Sequence, residues 1–208
     1  MAGGHRVFLL SPASLGGERA RVVLRPEAQL SLARRLQQPG GAPLGEVFAF
    51  LSGLYFRGKL AYAAAFARPP AGGPGALVIT ANRGLLPPDA PVTADDLRAM
   101  AAGQIDLRDP AYSGPLARDA HRLRRAIGAG QVVLLGSIAT EKYATILGAE
   151  LGPRLLFPAE FVGRGDMSRG GLLLRCARAG IELDYVALAG AVRHGPRPPR
   201  LPRAPRAP

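Results

Sequence analysis

Residues 160 to 171, EFVGRGDMSRGG, hold two carboxylates, two arginines, four glycines and one serine in twelve positions. The apolar run Leu155-Leu156-Phe157 precedes them and a helix-like stretch from Ser168 to Ala179 follows. At such a joint, backbone N–H groups flanked by Arg164, Ser168 and Arg169 suit an anion, above all a phosphate. Asp166 and Glu160 are the leading candidates for orienting a water or steadying positive charge on a sugar. Capping explains part of the cluster, since Asp166 or Ser168 supplies the one oxygen a helix start needs.

A second concentration lies in LYFRGKLAYA, Leu54 to Ala63. Tyr55 with Arg57 and Lys59 combines an aromatic face for stacking on a base with cations for a phosphate. The competing reading is an amphipathic helix whose aromatics are core. Phe157 or Phe161 offers further stacking, Asn82 a base-edge contact, and Arg83 and Ser11 polar contacts from the turns after two strands. His5, His121 and His194 stand at a terminus, on an arginine-rich helix and near the other end, so no catalytic triad is legible. Acid–base work then falls to Asp166 and Glu160, helped by Lys59 or Lys142. There is no Walker loop or dinucleotide fingerprint, and no CxxC or His-rich cluster for zinc. No cofactor and no metal are expected.

Short apolar runs alternate with helical patterns to place these residues. The runs Arg6–Leu10, Ala76–Ala81, Gln131–Gly136 and Arg154–Phe157 predict neighbouring strands, with a fifth at Leu183–Leu188. Helices are predicted over 25–38 with Pro26 in the first turn, over 44–67 with a break near Ser52-Gly53 or Gly58, and from Thr93 to Met100 under a Thr93 cap. More follow over 116–127, from about Thr140, and over 168–179. This pattern predicts one three-layer α/β domain over 1–194, with a helical insert at 18–43 and a mostly parallel sheet of about five strands covered on both faces. Ligands of such sheets bind beyond the carboxyl ends of the strands, which places there the four polar or glycine-rich loops 11–17, 80–84, 136–143 and 160–171. The Pro/Arg-rich stretch 195–208 predicts an extended, disordered tail.

The chain has 208 residues, 48% of them apolar, and a net charge of +12 carried almost wholly by arginine, with only Lys59 and Lys142 as lysines. Such charge favours polyanions, although a GC-rich genome yields the same composition. The single cysteine, Cys176, has no internal disulfide partner. No apolar run is long enough to span a bilayer, and no secretory signal is visible at the N-terminus, so a cytoplasmic setting without membrane attachment is expected.

The segments FLLSP (8–12), LYFRGKLAYA (54–63), VITANRGLLPPD (78–89) and LLGSIATEKY (134–143) resemble, in their order, small α/β proteins around the YaaA family, which are themselves similar to uracil-DNA-glycosylase-like domains. That resemblance spans roughly residues 5–188 and implies handling of a nucleobase or nucleic acid. Three functions stand open: an enzyme acting on a base or N-glycosidic bond, with DNA favoured over RNA; a non-catalytic nucleic-acid-binding protein; and a small-molecule enzyme using a free nucleotide.

Overall fold

The computed structural model describes residues 4–139 and 141–199. The chain runs β1 (Arg6–Leu10), α1 (Glu18–Val23), α2 (Ser31–Leu36), β2 (Ala42–Pro43), α3 (Leu44–Ser52), α4 (Leu54–Phe66), β3 (Ala76–Ile79), β4 (Leu85–Leu86), β5 (Pro91–Val92), α5 (Ala94–Ala102) and α6 (Pro110–Ile127). It continues with β6 (Gln131–Leu135), α7 (Ala144–Leu151), β7 (Leu155–Pro158), α8 (Asp166–Ala179) and β8 (Tyr185–Ala187).

Six strands form one sheet in the order β4-β3-β1-β6-β7-β8. The four predicted neighbours are its parallel centre, with Leu9 level with Leu77 on one side and Leu134 on the other. The edges, β4 and β8, are antiparallel. Val7, Phe8, Leu9 and Leu10 are at most 1% exposed, as strands covered on both faces must be. Among the described residues, no helix is long and apolar enough to cross a membrane.

From β1 the chain crosses through α3 and α4 to β3. From β3 it returns past β1 through α6 to β6, and from there steps on through α7 to β7. Right-handed crossovers in opposite directions place their helices on opposite faces. The sheet therefore has its topological switch point beside β1, and this is where a ligand crevice opens.

Gly53, at φ +59°, is the break between α3 and α4. Gly58, the other position considered, is helical and lies in the crossing of α4 with α8, where a Cβ would stand 2.8 Å from the Gly170 carbonyl oxygen. The predicted helix over 25–38 is corrected. The chain forms α1 and α2 instead, with Pro26 in the turn between them, because the apolar positions that bury are Ala20 and Val23, then Leu32, Ala33 and Leu36. The predicted amphipathic face of α6 is buried at Leu116, Ala120, Leu123 and Ile127. The start predicted near Thr140 falls on a position outside the described residues, and α7 itself begins at Ala144.

Thr93 closes a capping box on α5: its hydroxyl accepts from the Asp96 N–H at 3.2 Å and the Asp96 carboxylate accepts from the Thr93 N–H at 2.9 Å. Thr93→Ala should lower stability by about 1 kcal/mol, read as a lower urea midpoint with unchanged slope. Residues 191–199 have no regular structure. Gly195 rests on Val162, and Arg193 pairs with Glu141 at 2.9 Å. The remainder of the predicted tail, 200–208, lies outside the described residues.

Candidate functional site

At the carboxyl ends of β1, β3 and β6 lies a cleft of about 740 Å³, a size that suits a nucleotide-sized ligand. Ser11 and the Pro12–Ala20 segment form one wall, Ser137, Lys142 and Tyr143 another, and Leu51, Met100 and Ile105 supply apolar surface. Asp166, the first residue of α8, reaches its rim with a side chain 71% exposed.

Behind Ser11 sits Lys59, 1% exposed. Its ammonium donates to the Ser11 hydroxyl at 2.7 Å and to the Ser11 carbonyl at 2.8 Å, and lies 4.1 Å from the centre of the Tyr55 ring. The burial follows from helical spacing. Tyr55, Lys59 and Tyr62 share one face of α4, and that face packs on the sheet, where Tyr62 meets Phe8 edge-on. Removal from water pushes the Lys59 amine down to about 7, with Arg169 adding to the fall and Asp166 opposing it.

Two tyrosines complete the pocket. The Tyr55 hydroxyl is buried without a hydrogen-bond partner, on a cleft-lining residue. Its acidity is suppressed first by burial, against the pull of Arg169. Tyr143 is also held in its neutral form by burial, with the Ser11 hydroxyl opposing. Between Ser11 and Tyr143 stands Gly136, where a Cβ would come within 3.1 Å of both hydroxyl oxygens. Only glycine lets the two hydroxyls pack this closely on the strand end, since a Cβ would also stand 2.9 Å from the Ser11 Cβ.

The β7–α8 joint is built differently from the expected phosphate cradle. The cap position of α8 is Gly165, and no side chain caps it, so neither Asp166 nor Ser168 has that role. The arginines serve backbone carbonyls of the turn, that of Phe161 accepting also from the Arg164 N–H at 3.2 Å. Arg169, 9% exposed, donates from Nε and Nη2 to the Phe161 carbonyl, with Asp166 at 3.5 Å. Arg164 donates to the Glu160 carbonyl at 2.9 Å and to the Ser168 hydroxyl at 3.2 Å.

Of the residues expected to act, Ser11, Tyr55 and Asp166 line the cleft. Lys59 and Arg169 back it. Glu160 does not join Asp166; one of its oxygens is buried without a partner, and its charge acts on Cys176, whose thiol is raised first by burial. Phe157 is core, edge-on to Phe161 at 5.7 Å. Asn82 and Arg83 belong to the β3–β4 turn, where Arg83 pairs with Asp96 at 3.2 Å. Arg57 is exposed and folds back on the Gly53 carbonyl at 3.4 Å. The stacking face expected of Tyr55 is taken by Lys59, and its hydroxyl is buried. Tyr143, in a stretch read as a first helical turn, was not singled out by the residue pattern.

Among the described residues, no group of three or more His, Cys, Asp or Glu side chains gathers to hold a metal. Comparison with protein-family models, with curated proteins and with solved structures finds no match for this chain.

Proposed function

We propose that the protein is a hydrolase that takes a nucleobase-bearing substrate into this cleft and cleaves its N-glycosidic bond. The observation that carries the reading is the buried Lys59 ammonium hydrogen-bonded to the cleft-lining Ser11 hydroxyl. A cation at this depth with an amine near neutral pH is a proton source, and Ser11 is its outlet. The departing base takes a proton from the Ser11 hydroxyl, which is replenished from Lys59. Asp166 at the rim steadies the oxocarbenium-like sugar or orients the attacking water. The apolar wall of Leu51, Met100 and Ile105 holds the base ring. Nearby Arg19 and Lys142 line the same cleft and suit a phosphate. The motif resemblance to nucleobase-handling proteins and the +12 charge favour a polyanionic substrate, DNA ahead of RNA or a free nucleotide.

The test is release of free base from single-stranded DNA, duplex DNA, RNA and mononucleotides, followed chromatographically. Asp166→Asn should reduce release by roughly 10²-fold, while the melting temperature stays within about 2 °C, because the side chain is largely exposed and caps nothing. Salt-sensitive polymer binding without base release would leave a binding protein. Stabilisation by mononucleotides alone would leave a free-nucleotide enzyme. A D166N protein that is unstable but equally active per folded molecule would reduce the carboxylate to scaffolding.

A further inference from the structure

We infer that Ser11 is a covalent nucleophile, activated by Lys59 and assisted by Tyr143, that gives the protein a second activity on carboxylic esters. The geometry is that of a nucleophile with its base behind it. Ser11 lines the cleft at the end of β1, and the Lys59 ammonium, 1% exposed, lies behind it, 2.7 Å from its hydroxyl oxygen. The Ser11 and Tyr143 hydroxyls lie side by side over Gly136, where a Cβ would stand 3.1 Å from each oxygen, so a carbonyl carbon brought to Ser11 from the cleft meets the nucleophile with a donor beside it. A lysine held near neutrality is in its free-amine form for a useful fraction of the time.

The step balances within the site. The Ser11 oxygen adds to the ester carbonyl, the carbonyl electron pair moves to oxygen beside Tyr143, and the serine proton passes to the Lys59 amine. On collapse, the C–O bond to the alcohol breaks and the alcohol leaves with that proton. Water then repeats the sequence, releasing the carboxylic acid and restoring Ser11 and Lys59. The charged and titratable groups facing Lys59 are Asp166 and Arg169 from α8, Tyr55 from its own helix, and, beyond Tyr55, Tyr143. Ester cleavage needs the amine free and base release needs it protonated, so the two activities have opposite pH limbs.

The full chain should be treated with a fluorophosphonate probe and, separately, with p-nitrophenyl acetate. We expect one adduct, mapped by mass spectrometry to the peptide carrying Ser11, and a p-nitrophenol burst of about one equivalent. The labelling rate should rise with pH through about 7 and level off above it. Ser11→Ala should abolish labelling, and Lys59→Met should slow it by about 10²-fold or more. Labelling of another residue would overturn the proposal, and so would a wild-type rate that is flat across pH 6 to 8, a measurement that needs no variant. Base release that fails while Ser11 labels as described would defeat the glycosidic reading alone.

Discussion

Replacing Lys59 with Met should cut base release by roughly 10³-fold, since the site loses its proton source, and should remove the pH dependence of what remains. In the native protein, release depends on the ammonium, so it should hold below about pH 7 and fall as pH rises through that value. Stability gives an independent reading with its own sign. The folded-state amine is depressed from the ordinary 10.5 to about 7. Between those values the unfolded chain binds the proton more readily, so native stability must rise with pH across that window. The methionine variant lacks this slope. Wild type should therefore gain on Lys59→Met from pH 7 to 10 and hold a constant offset below 7. Thermal unfolding of both proteins in matched buffers measures the difference. A difference that stays flat would mean that Lys59 is not held away from water as described.

Gly170→Val should destabilise the fold by about 3 kcal/mol through overpacking against backbone, lowering the urea midpoint accordingly. A Cβ at Gly170 would stand 2.7 Å from the Tyr55 Cα and 2.8 Å from the Leu54 carbonyl oxygen, and neither atom can rotate aside. The two helices would have to part. Since α4 carries Tyr55 and Lys59 and α8 carries Asp166 and Arg169, folded molecules should also lose activity. Gly148→Ala on α7, where an added methyl meets nothing within 4 Å, should instead add about 0.5 to 1 kcal/mol. Equal stability of Gly170→Val and wild type would show that the crossing is loose.

The parallel strands were legible because Val132-Val133-Leu134-Leu135 and its counterparts are apolar without alternation, a pattern that only burial on both faces explains. The edge strand β4 was not, because two residues, Leu85 and Leu86, leave no period to read. Likewise α1, the six residues ERARVV, is too short and too charged to show a helical stripe. At the site, the rule for the carboxyl edge located Ser11 and the loop at Ser137. The polar density of 160–171 drew attention to Asp166, but composition cannot reveal that Arg164 and Arg169 serve the carbonyls of Glu160 and Phe161. Lys59 carried a signal in its spacing: a lone lysine four after Tyr55 and three before Tyr62 sits within an apolar stripe. Its partner Ser11, 48 residues away, becomes visible only in three dimensions.

The strand order also sets the timetable of folding. β1 lies at the middle of the sheet, yet its partner on one side is β6, with Arg6 level with Gln131, 125 residues later. Closing so long a loop is entropically slow. During synthesis β1 must wait, with one flank unpaired, until residues 131–135 have emerged, some seconds later at about 5–20 residues per second. The Ser11–Lys59 contact needs only residues 1–59 in sequence, but it is fixed in place only once the β1–β6 ladder has zipped. The site should therefore mature late, and refolding should regain helical signal before it regains Ser11 reactivity.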